Sequence, residues 1–303
     1  MQTTVSILIP VLNAEKYLPA LFEAFDKQLF EGLKEIVLVD SNSTDRTVEM
    51  ARARDDVTII PINDFSHGRS RNMGAREASG DVIAMLSQDA LPRDENWLKE
   101  LVAPFEDAQV AATYSRQVPR DDASPMERHF LLNHFSEAKV ARRSKDATNG
   151  PLNLKSVFFS NVSSAVRRKC LLEHPFDEEL IMSEDQQLSR DLIEAGYAVV
   201  YVPDSVVLHS HNYKLGDVFR RYFDSVYSLT QIFKEHGMGT SATMGIKYLL
   251  REVLYIIRWH PLWLPYYFCY TFCKSAGTIA GHFAEKMPKW MVRRCSLHTY
   301  HWD

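Results

Sequence analysis

A chain of 303 residues with 46% apolar and 24% charged side chains holds one large domain plus an extension, or two domains, and is not the composition of a disordered chain. The 35 basic and 39 acidic side chains leave a formal net charge of −4, which gives no electrostatic reason to expect a nucleic acid partner. The cysteines (Cys170, Cys269, Cys273, Cys295) are scattered except for Cys269 and Cys273, whose aromatic surroundings point to apolar packing and not to a disulfide or metal site. The first apolar segment, Val5 to Leu12, is short and has no basic leader, so no signal peptide is expected and the cytoplasm is the expected compartment.

Val5-Ser-Ile-Leu-Ile-Pro10 reads as a buried strand closed by proline, followed by a helix that Asn13 can cap and in which Tyr17, Leu18, Leu21, Phe22 and Phe25 recur at helical spacing. Glu35 to Asp40 is a second buried strand, Thr47 to Arg54 a helix, and Val57 to Pro61 a third strand. Phe65 to Gly74 is expected as a polar, glycine-punctuated loop entering a helix that reaches Ala78. Gly80-Asp81 then turns the chain into a strand ending at Ser87-Gln88-Asp89. Four alternations of strand and helix within about ninety residues are the signature of right-handed βαβ units in a parallel sheet.

After Pro92 the pattern loosens. Trp97 to Phe105 and Pro125 to Arg143 read as amphipathic helices, Val110 to Tyr114 and Val157 to Val166 as strands, and Lys145 to Lys155 as a mobile loop. Glu184 to Ala195 is expected as a helix stopped by Gly196, followed by strands at Ala198 to Val202 and Val206 to His211. From Gly216 the composition changes: a helix runs from Asp217 to about His236, and Tyr248 to Phe283 is rich in Leu, Ile, Tyr, Trp and Phe. Its longest stretch without charge, Trp259 to Cys273, is broken by Pro261 and Pro265 and is shorter than the roughly 20 residues a spanning helix needs. Aromatic rings beside Arg251, Arg258, Lys286, Lys289, Arg293 and Arg294 suit a segment lying in the headgroup region of a bilayer; a helical cap or a dimer contact is the alternative.

No glycine-rich phosphate loop follows the first strand. A nucleotide would then need a cation bridging its phosphates, held by acids at the carboxyl ends of strands, and Asp40 and Asp89 both stand there. On spacing alone Asp89 equally caps a helix starting near Pro92, and Asp40 equally caps the Ser41–Asp45 turn. Glu184 and Asp185 lie at the mouth of a helix, either as a base facing a crevice or beside a Ser183/Gln186 capping box. His209 and His211, two apart at a strand end, share one face, a spacing that permits metal binding and equally fits ordinary core or surface histidines.

The order of these pieces resembles glycosyltransferase family 2 with its GT-A fold. The likeness rests on Val5-Ser-Ile-Leu-Ile-Pro-Val-Leu-Asn13, Val39-Asp-Ser-Asn-Ser-Thr-Asp-Arg-Thr47, Arg71-Asn72-x-Gly74, the acid-bearing strand end and Glu184-Asp185, and covers residues 3 to 215. Phe65-Ser-His-Gly-x-x-Arg-Asn-x-Gly74 and Ser87-Gln-Asp-Ala90 are similar to the bacterial rhamnosyltransferases of that family, which use dTDP-L-rhamnose. Most members carry Asp-x-Asp where this chain has Ser87-Gln88-Asp89, a departure the rhamnosyltransferase-like members share. The resemblance implies an α/β fold with a Rossmann-like, mostly parallel central sheet flanked by helices over residues 1–215, and a C-terminal helical extension, 216–303, resting on the membrane. Pro10, Asn13 and Asp40 would line the nucleoside pocket, and His67, Arg71 and Asn72 would border the base and diphosphate. Gln88 would mark the donor and Arg190 would lie near acceptor or diphosphate. Asp89, with His209 or His211, would bind Mg2+ or Mn2+, and Asp185, with Glu184 beside it, would be the general base of an inverting transfer. The acceptor would be a lipid-linked saccharide of a surface polysaccharide, met by an enzyme peripheral to the inner face of the plasma membrane. The same fold with a UDP-hexose donor, or a catalytically silent membrane-associated subunit, are the alternatives.

Overall fold

The computed structural model of the chain describes residues 3–138, 140–148, 150–233 and 242–302. Its elements in order are β1 (Val5–Val11), α1 (Leu18–Asp26), β2 (Leu33–Asp40), α2 (Thr47–Arg52), β3 (Val57–Pro61), α3 (His67–Glu77), β4 (Val82–Leu86), β5 (Leu91–Pro92), α4 (Trp97–Val102), β6 (Val110–Val118), α5 (Pro125–His134), β7 (Ala141–Arg143), β8 (Ser163–Arg167), α6 (Arg168–Glu173), α7 (Glu184–Glu194), β9 (Ala198–Leu208), α8 (Leu215–Ile232), α9 (Ala242–Trp259), α10 (Leu264–His282) and α11 (Lys289–Cys295). The expected end of the α8 helix near His236 lies outside the described residues.

One sheet organises the molecule, in the order β3-β2-β1-β4-β8-β6-β9-β5, with β7 against β9. β1 pairs in parallel with β2 and β4, β2 with β3, and β6 with β9, while β8 runs antiparallel between β4 and β6. β1, β2, β3, β4, β6 and β9 therefore all point the same way, and the sheet is mostly parallel as the alternation of elements requires. Along β1, Leu8 packs into the core on one face, and Ile7 and Ile9 into the core on the other. Strand neighbours alternate sides, and a parallel sheet covered by helices buries both, which is why these strands read as unbroken apolar runs.

The common direction collects the carboxyl ends of β1, β2, β4, β6 and β9 along one edge. Because β8 runs the other way, the segment that precedes it arrives at this same edge. That segment corrects the sequence expectation of a strand from Val157: the strand begins only at Ser163. Within residues 157–162 two backbone groups turn to α7 instead, the Phe159 carbonyl accepting from Gln186 Nε2 at 2.6 Å and the Asn161 N–H donating to Asp185 Oδ2 at 3.3 Å. Similarly, the helix expected over Pro125 to Arg143 ends at His134, and residues 141–143 pair with β9. The loop expected from Phe65 is already helix at His67, because Ser66 caps it by accepting from the Arg69 N–H at 3.1 Å.

Two expected caps are absent. Asn13 does not cap α1, which starts without a side-chain cap; its φ of 49° puts it in a left-handed turn where its side chain serves another loop. Ser183 also takes a left-handed φ, 64°, and closes no capping box with Gln186, whose amide is used on Phe159. Cys269 is exposed and Cys273 half-exposed, so this pair is not core packing, and all four cysteines are free thiols.

The helical region after β9 is built on α8 and α10. Gly277 and Gly281 of α10 rest on the α8 backbone so closely that a Cβ would stand 2.3 Å from the Phe219 carbonyl oxygen and 2.4 Å from that of Phe223. α9 docks through Ile256, which packs with Met126 of α5 and Tyr267 of α10. Among the described residues no helix is long and apolar enough to cross a membrane.

Candidate active site

Three strand-end loops are first tied to one another. The Asp40 carboxylate accepts from the Ser43 N–H, Ser43 Oγ accepts from the Asn13 N–H at 2.8 Å, and Asn13 Oδ1 accepts from the Thr44 N–H at 2.9 Å. Gln88, just past β4, clasps the end of β1 by accepting from the Leu12 N–H at 2.8 Å and donating to its carbonyl at 3.1 Å. Asp40 and Asn13 thus do the turn chemistry that their spacing allows while standing, with Pro10, at the edge where a ligand would lie against β1 and β2.

Next to this edge Asp89 faces both histidines. His209 Nε2 is 3.7 Å from one carboxylate oxygen and His211 Nδ1 is 3.7 Å from the other, the two rings meeting edge to face at 4.5 Å. One donor atom from each of the three lies within 4.8 Å of the others, a set that fits a divalent cation. Gln117, at the end of β6, fixes the arrangement: its Oε1 lies 3.1 Å from His209 Nδ1, which leaves the Nε2 lone pair facing Asp89, and its amide donates to Ser160 Oγ at 2.8 Å. Burial pushes His209 down to about 3, so the ring is neutral and competent as a ligand at neutral pH. The sequence spacing also left core histidines open, and the convergence on one carboxylate is what that reading lacks.

The acid pair stands across the same cleft, a space of about 310 Å³ lined by His67, Arg71, Ser87, Gln117, Asn161, Glu184, Asp185, His209, His211 and Arg221, among others. Glu184 is buried and accepts from Arg71 Nη1 at 2.9 Å and from Asn161 Nδ2 at 3.4 Å. Burial pushes this carboxyl up, but Arg71, then His67, outweigh it and hold it below the ordinary glutamate value. Asp185 has the opposite balance. Burial first, then the neighbouring Glu184 charge, raise it to about 7 against backbone N–H donors at Asn161 and Gln186 that lower it. Two adjacent carboxylates are therefore split in role: one is neutralised by an arginine, the other is poised to exchange a proton near neutrality. Arg71 keeps its Nε buried and without a partner.

Two expected residues are not brought here. Asn72 is a structural clip, exchanging hydrogen bonds with the backbone of Phe176 at 2.9 and 3.0 Å and donating to Glu178. Arg190 points away from the cleft, pairing with Glu194 at 2.9 Å and with the Ile232 carbonyl. Four residues that the sequence did not single out are present instead. Arg221 enters from α8, bonded to the Tyr213 hydroxyl at 2.8 Å, and Arg120 donates to the Asp89 carbonyl. Asn161 bridges both acids. His298 reaches His67, ring centroids 5.2 Å apart, because the buried Asp224 of α8 accepts from the N–H groups of Leu297 (2.8 Å) and His298 (3.2 Å). Of these, only the polar Ser160-Asn161 step inside an otherwise apolar run left a sequence signal.

A mostly parallel sheet with its site at the strand ends is the fold of solved glycosyltransferases, and the chain has the GT-A architecture. The mannosyltransferase PcManGT from Pyrobaculum calidifontis, solved with GDP-Man and Mn2+, superimposes with a TM-score of 0.60 over 95% of this chain and 77% of its own, at 18% identity. S. aureus TarS in complex with UDP-GlcNAc does so with 0.57 over 97% and 84%, at 16% identity. The chain belongs to glycosyltransferase family 2: residues 6–174 match the family described as Glycosyl transferase family 2. It is 32% identical to the O-antigen chain rhamnosyltransferase RfbN of Salmonella typhimurium over 99% of this chain and 96% of that protein. The O-antigen chain rhamnosyltransferase WbaN of Salmonella anatum is 30% identical over 93% and 90%.

Proposed function

We propose that the protein is an inverting rhamnosyltransferase that moves L-rhamnose from dTDP-L-rhamnose to a hydroxyl of a lipid-linked saccharide in surface polysaccharide synthesis. The observation that carries this reading is one cleft lined both by a carboxylate poised near neutrality, Asp185, and by His209 and His211, the two imidazoles that face Asp89 in a three-residue donor set. The names of the two Salmonella relatives support the donor sugar.

Asp185 takes the proton of the acceptor hydroxyl as that oxygen bonds to the anomeric carbon. The bond from that carbon to the dTDP oxygen breaks, dTDP leaves with the electron pair, and the configuration inverts. A base with a pKa near the working pH is the efficient choice. Asp89, His209 and His211 would hold Mg2+ or Mn2+, which when bound offsets the charge growing on the diphosphate. Pro10, Asn13 and Asp40 take the nucleoside side, Gln88 orders the loop between them and Asp89, and Arg71 and His67 border the diphosphate. Residues 1–215 form the transferase domain and 216–303 the extension, which rests on the inner face of the plasma membrane of a cytoplasmic enzyme. Exposed Leu254, Trp259, Phe268 and Phe272 beside Arg251 and Arg258 support that contact.

The test is Asp185→Asn assayed with dTDP-rhamnose and with UDP-hexoses. Transfer should fall by about 10²–10⁴-fold while the nucleotide still raises the melting temperature. In the wild type kcat/KM should drop about tenfold per pH unit below about 7, since only the deprotonated Asp185 accepts a proton. Near wild-type transfer by the variant overturns the base assignment, and preference for a UDP-hexose overturns the donor.

A further inference from the structure

Beside the cleft lies a second space of about 530 Å³, in the range that holds small organic ligands. One wall is the start of α10, with Trp263 just before it and the rings of Tyr266 and Tyr270 on it. The facing wall comes from the loops around Asp122 and Asn212. Glu127 and His211 line both this groove and the cleft, so the two are continuous and lead from the aromatic wall to the acid–imidazole set and on to Asp185.

The walls differ in kind. Trp263 and Tyr266 meet edge to face at 5.6 Å, and the Tyr266 hydroxyl reaches the Tyr213 carbonyl at 3.4 Å, so the two rings are held in place by neighbours. Across from them stand the carboxylates Asp122 and Glu127. Such a pairing suits a pyranose, whose C–H face packs on a ring while its hydroxyls donate to carboxylates. Lys214 offsets one of the two acids, so the lining keeps a net negative character that disfavours a nucleotide, and an acyl chain would leave these charges unpaired.

We infer that this groove binds the saccharide part of the acceptor, next to the sugar whose hydroxyl reacts. The inference rests on the transferase reading and adds where the acceptor lies. It also orients that acceptor: Leu262, 94% exposed, stands at the groove, so a lipid tail can remain on the apolar outer face while the sugar enters between the rings and the acids.

Binding of methyl glycosides of galactose, glucose, mannose and rhamnose, singly and as disaccharides, by saturation-transfer NMR on the full chain provides the test. At least one should bind the wild type and bind about tenfold more weakly to Trp263→Ala and Tyr266→Ala, while Trp263→Phe binds as the wild type does. A melting temperature raised by nucleotide shows that each variant is folded. Wild-type affinity in the two alanine variants, or no binding of any glycoside to the wild type at millimolar concentration, overturns the groove assignment. Normal transfer by Asp185→Asn would instead remove the base while leaving these binding results standing.

Discussion

The sheet and the helical region after it treat large apolar side chains in opposite ways. In β1, β2 and β4 the apolar residues other than Pro10 and Leu33 are buried to the last few percent, and each large one contributes about 1.5–3 kcal/mol relative to exposure. In α9 and α10, Leu254 (63% exposed), Phe268 (62%) and Phe272 (73%) stay on the outside. The first pattern fixes the positions of Asp40, Asp89 and His209 to the geometry of a close-packed core. The second leaves a surface that water does not favour, the mark of a face made for something other than water. One region supplies precision and the other, on the membrane contact proposed above, adhesion, and the cleft lies where they meet.

Altering the rigid side should have the largest effect. Asp89→Ala removes the carboxylate between two imidazoles, and transfer should fall about 10³-fold with no rescue by added Mn2+; full wild-type activity in excess chelator would remove the cation from the mechanism. On the adhesive side, replacing Phe268, Phe272 and Ile279 by serine should weaken cosedimentation with anionic vesicles about tenfold or more. The melting temperature should hardly move, since exposed substitutions shift stability by only about 0.5 kcal/mol. A triple variant that pellets like the wild type would make this face a protein contact instead.

The smallest effect belongs to Asp224 of α8, which holds the Leu297–His298 segment beside the cleft. Burial raises it to about 6 despite hydrogen bonds from Ser296, Leu297 and His298. Its folded pKa lies above the unfolded value near 3.9, so its contribution is complete below pH 4 and is lost as pH rises through 6. Asp224→Asn should flatten the fall in stability between pH 4 and 6, a difference on the order of 1–2 kcal/mol by denaturant titration. An unchanged pH profile would show that the clamp does not titrate in this window.

The parallel half of the fold was legible because periodicity and turn residues record local choices: an apolar run closed by Pro10 or Asp40 can be little else than a buried strand end. The candidate site was legible where polar or acidic residues stand at the end of a strand or the start of a helix, as at Ser87-Gln88-Asp89, His209-Ser-His211 and Glu184-Asp185. Residues 157–162 misled because Phe158 and Phe159 look like strand residues, whereas the Phe159 carbonyl is taken by Gln186 and the Asn161 N–H by Asp185, a fact of tertiary packing. Asn72 and Arg190 carry the right chemistry for a phosphate, but Phe176 and Glu194 claim them first. His298 and Arg221 carry no local sign, since what brings them to the cleft is the docking of α8 and of the segment that Asp224 holds.

That clamp bears on how the molecule acquires activity. His67 and His298 meet across most of the chain, and contacts between residues so far apart are slow to form because the closure entropy of the intervening chain must be met first. The parallel pairing of β1 with β4 also closes a long stretch of chain, but a much shorter one. Loss of the His67–His298 contact would open one wall of the cleft without touching the sheet hydrogen bonds of β1 with β2 and β4.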